Sequence, residues 1–113
     1  MHELAVTEEI LSLVLSEANK NSATKVKHVK LVIGEMTGIV NESVSFYFNE
    51  ISKGTIAEGA TLSFKRIPAA GRCRDCGYQF EVKDFVWACP HCESLNINIT
   101  AGKELYLESL GVI

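Results

Sequence analysis

Positive charge is scarce wherever export or nucleic-acid binding would need it. Ahead of Lys20 the only charged side chains are Glu3, Glu8, Glu9 and Glu17, so the basic n-region of a signal peptide is missing. No apolar run approaches the ~18 residues of a transmembrane helix, which argues against a membrane partner. The tightest basic cluster, Lys25, Lys27 and Lys30, falls in a strand-like stretch and reads as a solvated face. With a net charge of −3 and a pI near 5.6, the chain lacks the basic stripe that nucleic acid demands. It also lacks an internal repeat, a low-complexity tract, and any hydroxyl, histidine and carboxylate set resembling a triad or nucleophile elbow. These absences point away from an enzyme and toward a cytoplasmic binding protein.

What is present suits a folded domain. The chain has 113 residues, 47% hydrophobic and 22% charged, enough to bury one core or a core with an inserted module. Residues 3–18 read as an amphipathic helix, with Leu4, Leu11, Leu15 and Ala18 on its apolar stripe beside Ile10 and Val14. Residues 25–33 alternate, with Val29, Leu31 and Ile33 on one face, which predicts a half-buried strand. Asn41 is the expected N-cap of a second helix burying Val44, Tyr47, Phe48 and Ile51, with Gly54 as its C′ residue. Further strands are expected over 60–67, stopped by Pro68, and near 103–110. The fold class is α+β, two helices packed on a small three-stranded sheet. Residues 1–67 and 100–113 form this domain, and 68–99 form an inserted zinc-ribbon-like module.

All four cysteines lie in that insertion, as Cys73-Arg-Asp-Cys76 and Cys89-Pro-His-Cys92 with twelve residues between. In a reducing compartment two close pairs suggest metal ligands rather than disulfides. Each C-x-x-C knuckle turns both sulfurs to one point, and two facing knuckles supply the tetrahedral S₄ set that zinc prefers. The spacer suits a hairpin, with residues 78–82 out, a turn near Lys83-Asp84, and residues 85–88 back. A redox dithiol would need only one pair. A rubredoxin-like iron site shares the S₄ geometry, though the short spacer favours a zinc ribbon. His91, between two ligands, reads as a surface side chain. Four thiolates leave no open position for water, so this zinc is structural.

A second candidate site is Met1-His2-Glu3. A free α-amine, the His2 amide nitrogen and the His2 imidazole Nδ1 close adjacent chelate rings that suit square-planar nickel(II) or copper(II) better than zinc. Helix-opening amides have no intrahelical partner to lose. The bulky second residue is expected to keep Met1 in place. Taken alone, a histidine at position two is more often an exposed terminal side chain.

Together these residues resemble the HypA family of hydrogenase-maturation nickel chaperones, over nearly the whole chain. The likeness rests on Met1-His2-Glu3, Ile33-Gly34-Glu35 with Gly38, Glu42-Ser43-Val44 into Phe46-Tyr47-Phe48, and Gly54-Thr55. It continues through Glu58-Gly59-Ala60, the paired knuckles, and Leu105-Tyr106-Leu107-Glu108-Ser109-Leu110. The resemblance implies a non-enzymatic carrier. It binds nickel transiently at His2 with Met1 and Glu3, and holds structural zinc on Cys73, Cys76, Cys89 and Cys92. It works with the GTPase HypB to load the [NiFe]-hydrogenase large subunit and, in some organisms, also serves urease maturation. Monomer and homodimer both remain open. The competing class is a zinc-ribbon adaptor for protein or nucleic acid, which the acidic pI and His2 disfavour. One departure stands out: Glu93-Ser94 replaces the family's usual Gly-Ser after the second knuckle, where a positive-φ turn is expected to cost up to ~1 kcal/mol.

Overall fold

A computed structural model describes residues 3–113. In chain order the elements are α1 (Glu3–Lys20), β1 (Val26–Gly34), a 3-10 turn (Glu35–Thr37), α2 (Asn41–Ile51), β2 (Thr61–Ile67), β3 (Ala70–Cys73), β4 (Gln79–Glu81), β5 (Ile97–Ala101) and β6 (Leu105–Val112). They make two three-stranded sheets, ordered β2-β1-β6 and β4-β3-β5. The chain divides into two compact units. One comprises the chain through Val32 together with Gly38–Lys65 and Tyr106–Ile113; the other comprises Ile33–Thr37 and Arg66–Leu105. The second unit contains the inserted module expected over residues 68–99, together with the last two residues of β1 and the 3-10 turn.

The first unit holds the larger core. Helix α1 buries Thr7, Ile10, Leu11, Val14 and Ala18, a stripe at i, i+3, i+4, i+7 and i+11. The stripe is rotated from the expected one, because Leu4 is 43% exposed while the polar Thr7 takes the inward position. Thr7 is tolerated there because its hydroxyl donates to the Glu3 carbonyl oxygen at 2.6 Å, so that hydroxyl is not left unpaired in the core. Helix α2 buries Val44 and Phe48, and these two helices contact each other. Its N-cap is Val40 rather than Asn41, with no side-chain capping bond; asparagine preference alone placed the boundary one residue late. Ser52 is the C-cap, so Gly54, with φ +82, sits one position beyond the expected C′.

Strand β1 is central in its sheet. Val26, Val29, Leu31, Val32 and Ile33 are all fully buried, so both faces of its second half are covered and strict alternation fails. Lys25 and Ile113 exchange both backbone hydrogen bonds, at 3.3 and 2.9 Å, the mark of an antiparallel pair. On this sheet His28 Nε2 lies 2.9 Å from Ser63 Oγ, and Lys30 lies 4.0 Å from Glu108.

The second unit is built on β3, a strand missing from the sequence reading. β4 and β5 flank it, both antiparallel. Residues 85–88, expected as the returning arm of a hairpin, form no strand. Asp84 and Phe85 adopt φ of 54° and 57°, which turns the chain out of the ladder. In the same unit Gly34 and Gly102 meet backbone to backbone. A Cβ on Gly34 would stand 2.1 Å from the Gly102 carbonyl oxygen and 2.7 Å from the Glu104 nitrogen, well inside van der Waals contact. The segment is stitched there by Gly34 N–H donating to the Glu104 carbonyl and Met36 N–H to the Gly102 carbonyl, each at 2.7 Å.

Candidate metal centre

The two knuckles fold by the same local plan. In the first, Gly77 N–H donates to the Cys73 carbonyl and Cys73 N–H to the Tyr78 carbonyl, both at 2.9 Å. In the second, Glu93 N–H donates to the Cys89 carbonyl at 2.8 Å and Cys89 N–H to the Ser94 carbonyl at 2.9 Å. Each turn therefore needs a positive φ just after its second cysteine. Gly77 supplies φ 79° at no steric cost, whereas Glu93 is held at φ 64°, as the departure from Gly-Ser led us to expect. An L-residue in this region costs about 1 kcal/mol or more. Glu93→Gly is therefore expected to stabilise the second unit by about 1 kcal/mol, and Gly77→Ala to destabilise it by a similar amount. Thermal melts of the zinc-loaded protein check this, and equal midpoints for Glu93→Gly and wild type would remove the strain argument.

The knuckles bring Cys73, Cys76, Cys89 and Cys92 together, with all four Sγ atoms within 4.8 Å of one another. The shortest separations run across the knuckles, Cys73 to Cys92 at 3.5 Å and Cys76 to Cys89 at 3.6 Å. Cys73 and Cys89 are buried, Cys76 and Cys92 exposed. Backbone N–H groups of His91 and Cys92 point to Cys89 Sγ at 3.4 Å, the donors a thiolate ligand needs. The knuckles are tied together by the Ser94 hydroxyl, which donates to the Asp75 carboxylate, and by Arg74 N–H donating to the Asn96 carbonyl at 2.9 Å.

The thiols cannot all ionise without a cation among them. The Cys76 backbone N–H holds Cys73 down to about 6 against the opposing effect of burial. Cys92 is pushed up to about 12: the Ser94 backbone N–H favours its thiolate, but its neighbour Cys73, burial, and then Cys76 and Cys89 outweigh that. Cys89 is lowered, its own burial outweighed by the Cys92 and His91 N–H groups. Cys76 is raised in spite of the Tyr78 N–H, through burial and its neighbours Cys89 and Cys73. A dication resolves this conflict by stabilising every thiolate at once. Four convergent sulfurs with backbone donors fit a closed, structural zinc site.

The His91 ring stacks against Tyr78, with centroids 5.5 Å apart and planes 23° from parallel, and Tyr78 stacks on Phe80 in turn. Among the described residues, the group able to hold one ion consists of the four cysteines alone. The residues expected to bind nickel fare differently. Met1 and His2 lie outside the described residues, and Glu3 is the first residue of α1, half-buried. Among the described residues no helix is long and apolar enough to cross a membrane.

Comparison with known proteins agrees with this geometry. A family model described as hydrogenase/urease nickel incorporation, metallochaperone, hypA matches residues 1–112. The chain is 45% identical over 113 residues to the hydrogenase maturation factor HypA of Caldanaerobacter subterraneus subsp. tengcongensis, covering 99% of each chain. It is 44% identical over 112 residues to that of Dehalococcoides mccartyi, covering 99% of this chain and 94% of the relative. Among solved structures it is similar to the solution structure of a HypA protein, with TM-score 0.74 at 28% identity over 100% of this chain and 97% of that one. It is also similar to the solution structure of the Ni metallochaperone HypA from Helicobacter pylori, with TM-score 0.70 at 27% identity over 100% and 98%. With its paired knuckles, its α+β fold and a family match spanning nearly every residue, the chain belongs to the HypA family of hydrogenase/urease nickel-incorporation metallochaperones.

Proposed function

We propose that this chain binds nickel(II) at Met1, His2 and Glu3 and delivers it, together with the GTPase HypB, to the [NiFe]-hydrogenase large subunit in the cytoplasm. The observation that carries this reading is the family match over residues 1–112, which takes in the Met-His-Glu start as well as the cysteines. The division of labour follows from ligand chemistry. The thiolate site is closed and suits a resident ion, so Cys73, Cys76, Cys89 and Cys92 hold zinc and take no part in transfer. Nitrogen donors at the start of α1 suit nickel, and a site made from a helix opening can be reached by a second protein. Glu3 contributes its amide, which as the first in the helix has no intrahelical carbonyl to serve. No catalytic step is assigned to any residue. Hydrogenase is the main client, and urease maturation proteins are a second class of recipient.

A carrier must dock where its cargo sits, and α1 exposes Glu8 and Glu9 within two turns of that site. We place the GTPase contact on this face. Glu8→Lys combined with Glu9→Lys is expected to weaken capture of HypB by about tenfold while zinc content stays at the wild-type level. Undiminished capture would move the interface to another surface.

A further inference from the structure

Close sulfur pairs run from one knuckle to the other, Cys73 to Cys92 at 3.5 Å and Cys76 to Cys89 at 3.6 Å. Each pair joins an exposed sulfur to a buried one: Cys92 and Cys76 face solvent, whereas Cys73 and Cys89 do not. Protein bonds hold the knuckles opposed, through the Ser94 hydroxyl onto the Asp75 carboxylate and the Arg74 N–H onto the Asn96 carbonyl. A small oxidant reaches an exposed thiolate first, and a second thiolate beside it resolves the product. We propose that the cluster is a site of modification by hydrogen peroxide, which closes Cys73–Cys92 and Cys76–Cys89 disulfides and expels the zinc. The expulsion rests on the reading of these four cysteines as zinc ligands.

The chemistry balances pair by pair. The Cys92 thiolate attacks one peroxide oxygen; an S–O bond forms, the O–O bond breaks and hydroxide leaves. The Cys73 thiolate then attacks that sulfenic sulfur; the S–S bond forms, the S–O bond breaks and a second hydroxide leaves. Two electrons have passed from sulfur to peroxide. Cys76 and Cys89 repeat the sequence with a second peroxide, so four thiolates and two peroxides yield two disulfides and four hydroxides. Zinc departs as the dication, with no thiolate left to hold it. Because both new bonds cross from knuckle to knuckle, they replace the metal as the tie between them. Disulfides closed within each C-x-x-C pair would leave the knuckles unlinked.

In the test, hydrogen peroxide is added to the zinc-loaded, untagged full chain while a colorimetric chelator reads released zinc, and the product is digested with trypsin without reductant. Release is expected to reach about one zinc for every two peroxides consumed. Around the cluster trypsin cuts after Arg72, Arg74, Lys83 and Lys103, so bonds across the knuckles join fragments 73–74 and 75–83 to 84–103 in one three-chain species. Backbone fragmentation between Cys89 and Cys92 in the mass spectrometer then assigns each partner. The oxidised, zinc-free protein is expected to keep the dispersed amide signals of the second unit, which chelator-stripped reduced protein loses. Dithiothreitol with zinc is expected to restore the starting state. Fragments 73–74 and 75–83 joined only to each other, with 84–103 closed on itself, would overturn the pairing, and so would Cys73 joined to Cys89. Zinc retained under excess peroxide, or sulfinic acids in place of disulfides, would overturn the site. Loss of the second unit's amide signals on oxidation would overturn the replacement of the metal by covalent ties. Protein isolated without zinc would refute the zinc reading and the expulsion with it, while the fragments still decide the pairing.

Discussion

Cys73→Ala is expected to lower bound zinc from about one equivalent to near none and to unfold the second unit, leaving the first folded. The asymmetry follows from where the core is. In the unit formed by Ile33–Thr37 and Arg66–Leu105, the buried apolar side chains are Ile33, Ala69, Cys73, Val82 and Cys89. Two of these belong to the four-cysteine cluster itself. So small a core cannot offset the ordering of its own backbone. Structural zinc sites supply about 10–16 kcal/mol of apparent binding free energy in small modules, and here that energy is the folding energy. The first unit, by contrast, buries Val14, Leu31, Val44 and Phe48 completely and needs no metal. Metal analysis and amide spectra check this; a Cys73→Ala protein carrying wild-type zinc would refute it. The same site predicts that zinc loading at pH 7 displaces protons, since Cys76 and Cys92 are raised and remain thiols until a cation arrives. Zinc affinity should therefore fall as pH falls, read as buffer-dependent heats of binding.

Nickel binding should weaken steeply as pH drops from about 8 to 6, while zinc stays bound on its closed thiolate site. A free imidazole has a pKa of ~6.5, and each amide that must lose its proton to nickel costs about tenfold in affinity per pH unit on its own. His2→Ala is expected to abolish the high-affinity site at every pH, although His28 and His91 remain. Neither adjoins a terminal amine: His28 lies within β1 and His91 between Cys89 and Cys92. Placing one extra residue ahead of Met1 asks whether an α-amine belongs to the donor set. Full hydrogenase maturation by the extended protein would exclude the amine and leave His2 with its amide neighbours. Retained high-affinity binding in His2→Ala would dismantle the site.

The parts legible in the sequence were those fixed by a local period or a ligand spacing. The first helix, the first strand and both knuckles could be read because apolar recurrence and C-x-x-C geometry act within a few residues. Thr7 was passed over because a periodicity argument scores residue type, and only the Glu3 carbonyl above it explains a buried hydroxyl. The Val40 cap was missed for a related reason: tertiary burial of Val44 and Phe48 sets where α2 starts, against the capping preference of Asn41. Strand β3 left no pattern at all. Ala70-Gly71-Arg72-Cys73 is too short to show alternation and becomes a strand only because β4 and β5 pair on both sides of it. The positive φ at Glu93, conversely, was readable, since a knuckle dictates it whatever residue stands there.

The Gly34–Gly102 contact gives the Ile33-Gly34-Glu35 signature a different meaning. Two main chains pass so closely that a single methyl at position 34 would overlap a carbonyl oxygen at 2.1 Å. No neighbouring side chain can yield to make room, because the obstacle is backbone on both counts. Every codon change that adds a carbon at this point is thus closed to drift, however mild the replacement looks on a substitution scale. The glycine of a tripeptide first met as a mark of kinship is the imprint of a collision, and it would be kept by selection even in a descendant that had stopped carrying nickel.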